Sequence, residues 1–158
     1  MRGKDKVIAQ LQEALRAELT AISQYFIHAE MQENWGYGRL GGLIKKQSID
    51  EMKHAEQVIE RILFLDGTPK MGMGLKLAVG ANVKAQLEAD LALEVEAVAQ
   101  YNAAIQTCVA EGDNTSRELF EGFLVDEERH IDFLEGQLTV IEQAGLQNYL
   151  AQQMNAEK

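Results

Sequence analysis

The spacing Glu-x-x-His occurs twice, as Glu51–His54 and Glu127–His130, each inside a shared string Asp-Glu-x-basic-His: DEMKH over 50–54 and DEERH over 126–130. On a helix, residues three apart lie on one face a turn apart, so each pair presents a carboxylate and an imidazole side by side. Two further glutamates follow the same rule of repetition. Glu18 opens ELTAISQY and Glu94 opens EVEAVAQY, both reading Glu-x-x-Ala-x-x-Gln-Tyr, and all four motifs are related by one offset of 76 residues. The chain is thus two similar halves related by an approximate two-fold.

Each of the four glutamates falls near the middle of a long helical segment and on its apolar stripe. Glu18 lies between Leu15 and Ile22, and Glu51 between Ile44 and Val58. Mid-helix positions share one level of a bundle, so four carboxylates and two imidazoles converge in an apolar interior. Unpaired buried charges cost several kcal/mol each. Two divalent cations match the four carboxylates in charge and turn that cost into coordination bonds. A mixed set of oxygen and imidazole nitrogen suits iron or manganese, and this is the ligand pattern of di-iron carboxylate bundles. By the pseudo-symmetry, Glu18 with His54 should hold one metal and Glu94 with His130 the other, with Glu51 and Glu127 bridging. Tyr25 and Tyr101 each lie seven residues beyond a ligand on the same face, where they either order the ligands by hydrogen bonding or fill the core.

Four segments carry the helical period that positions these residues. The first runs from about Asp5 to Asn34, with Leu11, Leu15, Ile22, Tyr25 and Ala29 on one stripe, and Gly36 and Gly38 end it. The second runs from about Arg39 to Asp66 and stops at Gly67 and Pro69. The third spans about Val83 to Glu111 and closes at Gly112. The fourth is capped by Asn114 or Thr115, with Glu118 completing a capping box, and reaches about Gln143. Gly145 separates it from a short amphipathic tail, LQNYLAQQM. Short reversals make two antiparallel hairpins. The connection from Gly67 to about Asn82 is long enough to run the length of a helix, which places helices two and three parallel in the crossover topology of ferritin-like bundles. The expected fold is all-α: one four-helix domain over 1–158, a long crossover between helices two and three, and a short C-terminal helix.

Bulk properties agree. The 158 residues are 46% hydrophobic and 25% charged, with one proline. A net charge of −10 argues against nucleic-acid binding and against docking on anionic membrane. A single cysteine, Cys108, excludes a disulfide framework and a cysteine zinc site. The opening MRGKDKVIAQ has no apolar stretch of signal-peptide type, and no window is apolar enough to span a bilayer, so a cytoplasmic location is expected.

Beyond spacing, the chain resembles the bacterioferritins over essentially its whole length. The likeness is carried by the opening M-x-G-x-x-x-VI, by QYFIHA, by SIDEMKHAEQVIERILFLDGTP, by ADLALE, by DEERHIDFLE and by the terminal GLQNYL. The resemblance implies that Glu18, Glu51, His54, Glu94, Glu127 and His130 form a ferroxidase centre, a di-iron site that oxidises Fe(II) with dioxygen or peroxide and feeds a ferric mineral. It also implies a homo-oligomeric shell of twenty-four subunits that binds heme. Met52 points away from the Glu51/His54 face, toward an outer stripe containing Ser48, Ile59 and Leu63. From the residues alone it reads as an apolar subunit contact. By resemblance, Met52 and its mate across a two-fold ligate one b-type heme between two subunits; Glu128 takes its place in the second half.

Departures from the family pattern matter too. Asp50 is present, but Lys46 stands where some members carry a histidine of an inner-surface iron site, which argues against that site here. Asn148 fits the family near the four-fold channel, whereas Ala151 replaces a residue that is often polar. Thr68, Ala81 and Ala85 do not clearly match the surface that some members offer to a small ferredoxin electron donor, a partner that the resemblance still implies. His28 has no counterpart in the second half and reads as a polar or interface histidine. Met71 and Met73 in the crossover are expected to pack against neighbours. The rival readings are a free-standing di-iron oxidase or peroxidase without a cage, a storage protein whose buried hexad is only structural, and a heme-free assembly.

Overall fold

The computed structural model describes residues 1–72 and 74–155. Met73, expected to pack in the crossover, lies outside the described residues. Five helices follow in order: α1 (Asp5–Asn34), α2 (Gly38–Phe64), α3 (Val83–Glu111), α4 (Asn114–Ala144) and the short α5 (Leu146–Ala151). The all-α architecture matches the expectation, with α2 starting one residue earlier and ending two sooner than its pattern suggested.

The termini show why the helices begin and end where they do. Gly112, at φ 73°, closes α3 in the left-handed region, a conformation that costs glycine little. Asn82 caps α3 by accepting from the backbone N–H of Ala85 at 2.9 Å. The cap of α4 is Asp113, one residue before the expected Asn114 or Thr115. Its carboxylate accepts from the Ser116 backbone N–H at 2.9 Å and from the Ser116 hydroxyl at 2.7 Å. It also accepts from the Arg61 guanidinium at 2.9 Å, so the cap ties α4 to the end of α2. That charged partner explains why Asp113 wins over the neutral caps beside it.

Side-chain pairs fix the directions of the helices. Between α1 and α3 the pairs are Glu18–Tyr101, Tyr25–Glu94, His28–Asp90 and Gln32–Gln86; numbers rise along one helix as they fall along the other. These helices are therefore antiparallel. The pairs His54–Asp126, His130–Asp50 and Arg61–Asp113 make α2 and α4 antiparallel by the same reasoning. Since α1 and α2 form an antiparallel hairpin, α2 and α3 run parallel, and residues 65–82 must cross from one end of the bundle to the other.

That crossover lies along α1 and is pinned by its polar residues. Gln12 donates to the Thr68 carbonyl and accepts from the Lys70 N–H, Gln24 accepts from Ala78 N–H at 2.9 Å, and His28 Nε2 accepts from Gly80 N–H at 3.0 Å. A Cβ at Gly80 would sit 2.5 Å from the backbone nitrogen of Gln86, so the strap approaches α3 more closely than any side chain permits. Met71 is 55% exposed.

Two apolar clusters fill the bundle. One contains Leu11, Leu15, Val58, Ile62, Cys108, Phe120 and Phe123; the other contains Tyr25, Leu40, Ile44, Leu87, Leu134 and Tyr149. On every long helix the switch from one cluster to the other falls at the motif glutamate. A layer of charged side chains is thus held between two apolar halves, each buried aliphatic side chain contributing about 1.5–3 kcal/mol.

Candidate metal centre

All six residues singled out by spacing are buried and meet in that layer. Two overlapping groups arise, each with one atom per residue lying within 4.8 Å of the others: Glu18, Glu51, His54 and Glu127, and Glu51, Glu94, Glu127 and His130. Glu51 and Glu127 belong to both. The geometry therefore sorts the six into two pairs and two shared carboxylates. His54 Nδ1 is 3.2 Å from Glu127 and 3.5 Å from Glu18; His130 Nδ1 is 3.0 Å from Glu51 and 3.6 Å from Glu94.

The donor set fits metal ions for a specific reason. Each of the six keeps one buried atom without a hydrogen-bond partner: Glu18 Oε2, Glu51 Oε1, His54 Nδ1, Glu94 Oε2, Glu127 Oε1 and His130 Nδ1. The imidazole nitrogens lie within ion-pair reach of the carboxylates but out of hydrogen-bond geometry. Buried polar atoms are rarely left so, and six at one place ask for a cation.

Electrostatics agree with this crowding. Burial, then the neighbouring Glu18 carboxylate, pushes Glu51 well above the ordinary range. Burial and Glu127 raise Glu94 to about 8. Burial acts against the charged imidazoles, but the surrounding carboxylates outweigh it and hold His54 at about 11 and His130 at about 9. Without metal, the centre gathers protons to offset its own repulsion.

The surrounding contacts are crossed between the halves. Tyr25 of α1 donates to Glu94 of α3 at 2.5 Å, and Tyr101 of α3 donates to Glu18 of α1. Both tyrosines also pack in the core, so the two alternatives hold together. His54 Nε2 bonds Asp126 of α4 at 2.8 Å, and His130 Nε2 approaches Asp50 of α2 at 3.4 Å. Because carboxylates only accept, these contacts place the proton on Nε2 and turn Nδ1 to the centre. Spacing did not assign Asp50 and Asp126 this role; the aspartate shared by both repeat strings was the available signal.

Other singled-out residues fall outside the layer. Met52 is 47% exposed and turned about 100° around α2 from buried Glu51, with Ile49 and Leu63 also exposed. Ser48, placed with it on the outer stripe, is instead buried and donates to the Ile22 carbonyl at 2.8 Å, because its side chain faces α1. His28 is fully buried, with Nδ1 2.9 Å from Asp90. It is a structural polar residue.

Two openings reach the centre from opposite faces. Between α1 and α3, a cavity of about 160 Å³ is lined by Glu18, Glu51, Glu94 and Glu127 and carries Glu96 at its side. Between α2 and α4, a cavity of about 410 Å³ ends on His54 and His130.

A helical bundle with this crossover and this carboxylate–histidine layer defines a ferritin-like protein, and the sequence profile of the ferritin-like domain matches residues 8–144. Among similar proteins are the bacterioferritins of Mycolicibacterium paratuberculosis, 44% identical over 96% of both chains, and of Mycobacterium leprae, 45% identical over 96% of both. The bacterioferritin of Brucella melitensis is 44% identical over 94% of this chain and 92% of its own. The chain belongs to the bacterioferritin family.

Proposed function

We propose that this protein stores and detoxifies iron, oxidising Fe(II) to Fe(III) at the buried six-residue centre and holding the product as a ferric mineral inside a homo-oligomeric cage. The observation that carries the reading is the set of six unpartnered buried ligand atoms in two overlapping groups. Membership of the bacterioferritins supports iron storage as the purpose.

Iron here is substrate and cargo. The α1/α3 opening, lined by carboxylates, draws in Fe(II). Glu18 and His54 hold one ion, Glu94 and His130 the other, and Glu51 and Glu127 bridge them. As the metals enter, the protons gathered on Glu51, Glu94, His54 and His130 leave. The paired metals supply two electrons to dioxygen or peroxide, with Tyr25 and Tyr101 steadying the terminal carboxylates and Asp126 and Asp50 the imidazoles.

The exposed thioether of Met52, beside exposed Ile49 and Leu63, has the chemistry of an axial ligand to a b-type heme shared across a two-fold. Bound heme would supply electrons for release of stored iron, with a small ferredoxin as the donor. No helix among the described residues is long and apolar enough to cross a membrane. Native mass measurement after aerobic Fe(II) addition tests the cage: iron should travel with an assembly of about twenty-four chains. A monomer or dimer with no retained iron would support the free-standing oxidase instead. Heme absorption lost in Met52→Leu tests the ligand.

A further inference from the structure

The two openings onto the centre carry opposite charge. On the α1/α3 face the walls are glutamates, with Arg16 and Lys76 beside them. On the α2/α4 face the rim carries Lys46, Lys53 and Arg129, in a chain whose net charge is −10. The acids there are already engaged. Asp126 binds His54 through one oxygen and lies 3.5 Å from Arg129 through the other, and Asp50 faces His130. Neither lysine pairs with an acid among the described residues.

Three basic side chains around one concavity, two of them unpaired, make a poor cation path and a good anion path. A metal pair and four glutamates balance in charge, and oxidation of both ions adds two positive charges directly beneath the opening. The cavity, at about 410 Å³, accommodates a hydrated tetrahedral anion.

We propose that the α2/α4 opening is an oxyanion site that takes inorganic phosphate, held by Lys46, Lys53 and Arg129, and presents it to the imidazole side of the iron centre. Arg129 offers a planar fork to two phosphate oxygens, and the lysines act as point charges on flexible stems. The role in iron handling rests on the ferroxidase reading; the binding site does not. The same cations keep Fe(II) from using this face, so iron and its counter-ion arrive from opposite sides.

Titration calorimetry with inorganic phosphate on the metal-free assembled protein, at low ionic strength, tests the site without any iron. The native protein should bind phosphate, and the variant Lys46→Gln/Lys53→Gln/Arg129→Gln should bind it at least about tenfold more weakly, with smaller losses for each single change. All three residues are exposed, so the fold should persist, and Co(II) binding at the hexad should be retained as the check. No phosphate binding by the native protein up to about 10 mM, or equal binding by native and triple variant, would overturn the proposal. Failure of the metal centre would show instead as lost Co(II) binding with phosphate binding unchanged.

Discussion

Asp126 on α4 accepts a 2.8 Å hydrogen bond from Nε2 of His54 on α2, so each half of the repeat orients a histidine of the other. The reciprocal pair, His130 with Asp50, is looser at 3.4 Å. The two candidate metal positions are therefore similar in residues but unequal in support. Asp126→Asn should weaken metal binding at the His54 position by about 10–100-fold, and Asp50→Asn should cost less at the His130 position. Co(II) titration followed by visible absorption checks both the losses and their order.

The tyrosines give a second test. Tyr101→Phe removes the donor to Glu18, and Tyr25→Phe the donor to Glu94. Each leaves a buried carboxylate oxygen short of a partner, at a cost of about 1–3 kcal/mol in the metal-free protein. Thermal unfolding without metal should show a lower Tm for each variant. Metal should recover part of the loss, because the carboxylates then have another partner.

The pH dependence of the metal-free protein has a defined sign. Glu51, Glu94, His54 and His130 all bind protons more tightly folded than unfolded. Groups of that kind stabilise the fold fully below their unfolded values, and the contribution is lost as pH rises through the folded ones. For Glu94 the loss begins above 4.5 and is complete past about 8; for the histidines it begins above 6.5 and runs past about 9 for His130. Calorimetric melts should thus show metal-free stability falling from mildly acidic to alkaline pH, and Zn(II) loading should flatten or reverse the trend.

The crossover strap should be intolerant where it touches α3. Gly80→Ala places a Cβ 2.5 Å from the Gln86 backbone nitrogen and should destabilise by about 1–3 kcal/mol. Asp90→Ala strips the acceptor from His28 and Gln24 in a fully buried position and should cost at least as much. Denaturant unfolding measures both.

Much of this molecule was legible in its sequence because the information is periodic. The common offset, the stripe positions of Glu18 and Glu51, and the breakers at Gly36, Gly67 and Gly112 locate four helices and bring six candidate ligand residues to one level. What stayed hidden depends on how helices face one another. Spacing along α2 cannot say that Asp50 reaches His130 on α4, nor that Ser48 turns inward to the Ile22 carbonyl. It cannot show that Arg61, arriving from another helix, favours Asp113 as the cap over Asn114 or Thr115. His28 had no counterpart in the repeat because its task, fastening the strap through Gly80, exists only on the side where the strap runs.

Iron oxidation is the chemistry proposed for the hexad. Stopped-flow oxidation of two Fe(II) ions per chain by peroxide or dioxygen, in the native assembly and in Glu94→Ala, tests it most directly. Oxidation at the hexad gives a fast phase in the native protein that slows at least about tenfold in the variant while melting shows the variant folded. An unchanged fast phase in folded Glu94→Ala would contradict it and leave the hexad a structural feature.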